Sequence, residues 1–332
     1  MTSLYERYLK LLNIINMSGV NESKMLQELE SLTTSFVDES SIHNEHYFIC
    51  HKKGFGEKIL LSAEILEPYT FVANGIKKEG LIEFTELYNR ALPSYLIGTN
   101  VKFQHGVIGT IRTKNEDLNK SDNIASINAE MLYIDVGATS DTDLKAYLNI
   151  GDYGIISGTS YEYCGNKIVG PHLSSFSTLI LMLEVMEILD DIATDIYFIC
   201  SKWKYGLNND LVEKINPKYI ISFESQLFED ISLNEFHTPI KFDKGPFISN
   251  GIPNTCEKNF SEILYCTAIE KSISFQKLFV KSFEINKRYI STIKLPIRHS
   301  FSAMECIDCM DIKRITDLLK HIITKIQEVK NA

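Results

Sequence analysis

Cys306 and Cys309 form a CxxC pair, the spacing that places two thiolates on one zinc ion. A closed site needs a second pair, and the other cysteines lie far away and singly. Most sit in apolar runs such as YFIC (Tyr47–Cys50) and IYFIC (Ile196–Cys200), so packing as reduced core thiols is the favoured reading. His172, just ahead of Ser174 and Ser175, has the residue type of a general base next to a nucleophile. No serine or cysteine is marked as its partner, however. Placement at the start of a helix or at the surface is the plainer expectation for His172, with Ser174 and Ser175 as helix caps. His105, beside the glycines of GVIG, reads as a turn or surface residue. Trp203, the single tryptophan, either plugs a cavity or floors a pocket.

The elements that must position these groups alternate in period along the chain. Helical patterns cover Leu4–Asn16 and Glu22–Phe36, and strands at His46–His51 and Lys58–Leu66 follow, joined by the turn KKGFGE. Between Thr70 and Lys167 short strand-like runs recur (TFVANGI, LIEFTEL, YLIGTNVKF, HGVIGTIRT, EMLYIDVGA, YGIISGTSY), with one short helix at Asp141–Leu148. Short strands at that spacing predict a small β-barrel. Beyond Pro171 the chain reads as an apolar helix (Ser174–Leu189), a strand (Asp195–Ser201), a helix (Asn209–Ile215) and a strand (Tyr219–Glu224). A helix at Ser261–Ile273, strands at Phe275–Ser282 and Thr292–Arg298, and a helix at Asp311–Val329 complete it. The alternation predicts βαβ units and a largely parallel sheet. The expected architecture is an α/β/α sandwich with a mixed, largely parallel sheet. It is split between residues 1–69 and 168–332, and residues 70–167 form an inserted β-barrel domain.

Composition narrows the function classes. A net charge of −9 with dispersed basic residues argues against general nucleic-acid binding, which needs clustered Lys and Arg. No apolar run approaches the roughly 20 residues of a membrane helix, and MTSLYERYLKLLNIINMSG reads as an amphipathic helix rather than a cleavable leader. A cytoplasmic protein with no membrane partner is expected.

Particular phrases at the junctions of these elements carry a resemblance. They are MSGVNES (Met17–Ser23), KILLSAEILEPYTFVANGIKKEG (Lys58–Gly80), GVIGTI (Gly106–Ile111) and LYIDVGATS (Leu132–Ser140). GDYGIISG (Gly151–Gly158), IVGPHLSSFSTLILMLEVMEIL (Ile168–Leu189), KGPFI (Lys244–Ile248), ISFQ (Ile273–Gln276) and LPIRHSFSAMECID (Leu295–Asp308) follow in order. In number and order they resemble the glutamyl-aminopeptidase or tetrahedral-aminopeptidase family of di-zinc peptidases, some members of which are called endoglucanase M. The resemblance spans almost the whole chain.

That family holds two divalent metals with His, Asp and Glu ligands, and a neighbouring Glu serves as general base toward the bridging water. Carried across position by position, the resemblance implies that this set has been lost. The first histidine falls on Glu64 and the aspartate of the same motif on Leu66. The bridging aspartate falls on Ser174, with Phe176 in place of an arginine. The paired glutamates fall within Lys202–Tyr205, which includes Trp203 and Lys204. The next aspartate falls on Glu224, which keeps a carboxylate, and the last histidine falls on Phe301. Arg298 and Glu305 keep the spacing of family residues that border the site, so His299 stands two residues ahead of the ligand position. The glycine-rich segment that shapes the family's substrate pocket is missing, since the path from Gln276 to Thr292 contains no glycine.

Ser, Leu and Phe are not ordinary ligands for such ions, and lysines near the general-base position would repel them. No metal or other cofactor is therefore expected. The former ligand positions are Glu64, Ser174, Glu224 and Phe301, and the residues of a remnant or repurposed cleft are Glu64, His172, Ser174, Trp203, Glu224, Arg298 and Glu305. A Glu–Lys network, with Lys202 or Lys204 as the base, would account for both surviving carboxylates. Arg298 and Glu305 could pair with each other. The functional expectation is an inactive aminopeptidase homologue that binds or assembles, as a homo-oligomer or with a related protein, and that could take a peptide. The alternatives are a metal-independent enzyme using the old cleft and a component of a peptide-modification pathway.

Overall fold

The structure is a computed structural model that describes residues 3–18, 22–66, 68–88, 91–113, 127–163, 165–189, 194–202, 207–227, 244–250, 260–279, 289–300 and 302–331. Two sheets and a closed barrel organise it. The main sheet contains β1 (Glu39–His43), β2 (Tyr47–Lys52), β3 (Phe55–Ile65), β12 (Thr194–Lys202), β13 (Tyr219–Leu227), β14 (Phe247–Asn250), β15 (Gln276–Phe279) and β16 (Tyr289–Ile297). Its order is β1-β2-β12-β3-β13-β16-β14-β15. The four central strands β12, β3, β13 and β16 run parallel. The mixed character comes from β2 and β14, which pair antiparallel with β12 and β16.

The central strands are buried on both faces, which is why KILLSAEI reads as a nearly continuous apolar run. Ile59, Leu61, Ala63 and Ile65 of β3 join the larger core, whereas Leu60 points to the other face. Helices Leu4–Ser18, Glu22–Thr33, Leu173–Ile188, Phe260–Glu270 and Cys309–Asn331 contribute to the larger core. Helix Asn209–Ile215 covers the opposite face through Leu211, Val212 and Ile215. Helix Leu173–Ile188 is apolar around its whole circumference because it lies between the sheet and other helices. The result is the expected α/β sandwich with a largely parallel sheet.

The strands His46–His51 and Lys58–Leu66, joined by a glycine turn in the sequence, are not neighbours. β12 lies between β2 and β3, which it pairs antiparallel and parallel respectively. The turn is therefore a crossover within the sheet rather than a hairpin.

The barrel is built from β4 (Thr70–Ile76), β5 (Leu81–Glu86), β6 (Asn100–Phe103), β7 (Ile108–Thr113), β8 (Leu132–Asp135) and β9 (Tyr153–Ser157). The strands close in the order β4-β5-β8-β7-β6-β9, and β9 returns to β4. Closure removes the exposed strand edges that such short strands would otherwise present. Phe71, Phe84, Val101, Phe103, Ile111, Leu132, Ile134 and Ile156 fill the interior. Gly154 is needed at one close approach, because a Cβ there would lie 2.7 Å from a methyl of Val101.

A small sheet of β10 (Tyr161–Tyr163), β11 (Lys167–Gly170) and β17 (Glu305–Asp308) ties the exit of the barrel to the C-terminal part of the chain. Register pairs Gly170 with Glu305, which brings Glu305 beside the start of helix Leu173–Ile188.

Candidate functional site

In open parallel sheets, functional groups gather at the carboxyl ends of the strands. Glu64 is the penultimate residue of β3, and Glu224 and Lys294 lie in the second halves of β13 and β16. β13 is the neighbour of both β3 and β16, with Phe223 opposite Ala63 and Glu224 opposite Lys294. Alternation places Glu64, Glu224 and Lys294 on one face of the sheet. Ser62 and Ser222 lie below them on that face, with hydroxyls 3.4 Å apart.

Lys294 Nζ is 2.9 Å from Glu224 Oε2, and both side chains are largely covered. Glu64 is half-buried, and its carboxyl is pushed up to about 7. Burial is the main cause, the nearby charge of Glu224 adds to it, and Lys294 partly opposes it. Three groups on adjacent strands therefore sense one another electrostatically. Among the described residues, Lys294 is the base that serves these carboxylates, in place of the Lys202 considered from the sequence. The register partner of Glu64 on β12 is Ser201, so Lys202, buried at the strand end, points to the other face. Lys204 lies outside the described residues. A lysine as the single charged residue of β16 was the one signal available in the sequence.

The start of helix Leu173–Ile188 forms a second, fully buried group. His172 is the residue before the helix, in a left-handed conformation with φ 61°, and makes no side-chain cap bond. Its Nε2 is 2.9 Å from the carbonyl oxygen of Ile156 in β9. The Ser174 amide donates to Glu305 Oε2 at 2.6 Å, and the Tyr69 hydroxyl donates to Glu305 Oε1 at 3.1 Å. Glu305, wholly buried, thus supplies the anion that a helix N-terminus favours. This corrects the expectation that Ser174 and Ser175 cap the helix. Their hydroxyl oxygens are buried and have no hydrogen-bond partner among the described residues. His172 does stand at the helix start, but in the interior rather than at the surface.

The remaining candidates separate from these two groups. Leu66 and Phe176 are buried apolar residues. Arg298 pairs through its backbone with Cys306, next to Glu305. His299 has φ 57°, and burial followed by the charge of Arg298 lowers its imidazole from its ordinary value. Trp203 and Phe301 lie outside the described residues. His105 is an exposed turn residue whose Nε2 is 3.5 Å from Asp152 Oδ1. Cys309 is held as a thiol, since burial and then Asp308 push it up to about 12.

A pair of divalent ions needs several anionic or imidazole donors converging, with a carboxylate between the ions. Here Glu224 already faces an ammonium group, Glu64 sits in surroundings that favour its neutral form, and Ser174 offers a hydroxyl. Among the described residues, no group of three or more His, Cys, Asp or Glu side chains is arranged to hold a metal. The donors among the described residues do not fit a metal pair.

Sandwich, inserted barrel and carboxylates at the strand ends together define a protein of the zinc-aminopeptidase-like fold. Residues 48–318 match the M42 glutamyl aminopeptidase family, and the chain belongs to that family. It is 21% identical over 340 residues to the lysyl aminopeptidase of Pyrococcus furiosus, covering 97% of each chain. A Thermotoga maritima endoglucanase structure superposes with a TM-score of 0.74 at 25% identity, covering 97% of this chain and 99% of that one. The Pyrococcus horikoshii TET1 peptidase, which can assemble into a tetrahedron or a large octahedral shell, gives 0.72 at 18% identity, covering 96% and 98%. No helix among the described residues is long and apolar enough to cross a membrane.

Proposed function

We propose that this chain is a catalytically inactive aminopeptidase homologue that acts as a binding or assembly component. The observation that carries this reading is the donor set. Where the family resemblance places metal ligands, Glu64 and Glu224 stand with Lys294, and Ser174 presents a buried hydroxyl. An ammonium beside the carboxylates repels the cations that would polarise a peptide carbonyl and activate water. Assembly is supported by the closed barrel and by likeness to a peptidase that forms tetrahedra and octahedral shells. Native mass spectrometry tests both parts. The reading predicts an oligomer whose mass is that of its polypeptides alone. Zinc, cobalt or manganese bound stoichiometrically would contradict the inactivity, and a monomer would contradict self-assembly.

One observation favours a second reading, a metal-independent enzyme in the same cleft. A half-buried carboxyl that titrates at about 7, as Glu64 does, has the acid–base properties of a proton-transfer group. His172 does not add to it, because it is wholly buried and bound to a barrel carbonyl. A turnover that persists in chelator and disappears in Glu64→Gln would favour this reading over the first.

A further inference from the structure

We propose that Lys294 is the built-in counter-cation of the Glu64–Glu224 carboxylate pair, so that the chain neutralises this end of the sheet with its own ammonium group. The proposal rests on the reading that no metal pair occupies the cleft, and it assigns a role to a residue outside the family's ligand positions.

The geometry is specific. Lys294 is the register partner of Glu224 across two parallel strands, so both side chains leave the sheet on the same face. The resulting contact of 2.9 Å needs no displacement of either strand. Both side chains are largely shielded, 18% exposed for Lys294 and 33% for Glu224, so the pair is less screened than a surface ion pair. Glu64 lies one strand further on, and it registers the repulsion of Glu224 and the attraction of Lys294. One ammonium faces two carboxylates. Lys294 therefore supplies one positive group to a face of the sheet that presents two carboxyl groups.

The experiment is a double-mutant cycle on the purified full chain, using Glu224→Gln, Lys294→Met and the double variant, with Lys294→Arg as a variant that keeps the charge. Unfolding equilibria are measured in chelator at pH 7.5. Lys294→Met alone should lower the folding equilibrium constant about tenfold or more, since Glu224 is left shielded and unpaired. The double variant should recover most of that loss, and Lys294→Arg should stay near wild type. The carboxyl of Glu64, followed by carbon NMR, should titrate higher in Lys294→Met than in wild type. If Lys294→Met does not fold, Lys294→Arg and Glu224→Gln carry the test through the same titration, with Glu224→Gln lowering the Glu64 midpoint. Additive cycle energies with an unmoved Glu64 midpoint would overturn the role of Lys294 while leaving the inactivity reading intact. Metal-dependent peptidase turnover in wild type would overturn the inactivity reading itself.

Discussion

Glu305 Oε2 accepts a 2.6 Å hydrogen bond from the Ser174 amide, 131 residues earlier in the chain. The same carboxyl receives the hydroxyl of Tyr69 at the mouth of the barrel, so one buried acid joins the barrel, the small sheet and the apolar helix. The Tyr8 hydroxyl lies in the same interior and donates to the Pro171 carbonyl at 2.7 Å. Burial, with a contribution from the charge of Glu305, raises the Tyr8 phenol well above its ordinary value.

Replacing Glu305 should therefore be costly. Glu305→Ala leaves the Ser174 amide and the Tyr69 hydroxyl buried without their acceptor, a loss of about 3 kcal/mol. Glu305→Gln keeps an acceptor but not the charge at the helix end, and should cost about 1–2 kcal/mol. Denaturant unfolding of the two variants measures both. Values within error of wild type would show that the helix start does not depend on this carboxyl.

Glu64 should give the stability a distinctive pH dependence. Its folded-state carboxyl titrates at about 7 against an ordinary value of 4.5, so the folded chain holds the proton through a range where the unfolded chain has lost it. The contribution of Glu64 to stability is therefore greatest below about pH 4.5 and declines as pH rises toward 7. Glu64→Gln should flatten this decline and, allowing for partial solvent screening, stabilise the protein by about 1 kcal/mol at pH 8. Parallel stability–pH curves for variant and wild type would contradict the assignment.

Gly170 has no side chain because Tyr8 occupies the space, and a Cβ there would collide with the Tyr8 hydroxyl and press on Ser160. Gly170→Ala should displace Tyr8 from Pro171 and cost about 1–3 kcal/mol by overpacking. The variant Tyr8→Phe/Gly170→Ala removes the hydroxyl and should recover part of the loss. No recovery in the double variant would mean that the strain lies elsewhere.

Much of the architecture was legible in the sequence because the signals were local. The all-round apolar character of Ser174–Leu189 marks a helix buried between layers, and the short strands between Thr70 and Lys167 mark a barrel. What was not legible depends on strand order. Nothing local announces that β12 enters between β2 and β3, or that β16 lies beside β13, and that order alone brings Lys294 to Glu224. That Glu64, Leu66 and Ser174 stand where the resemblance places metal ligands was an expectation from residue types alone. That Glu305 takes over the helix start from Ser174 was not, since the pairing joins segments far apart in sequence.

Aminopeptidase turnover is the most direct test of the proposed loss of two-metal chemistry. The purified chain would be assayed against a panel of unblocked aminoacyl amides and short peptides after incubation with zinc, cobalt or manganese, with a chelator-treated control. The account predicts release of N-terminal residues no faster than in buffer under every condition. Turnover that appears with metal and vanishes with chelator would contradict it.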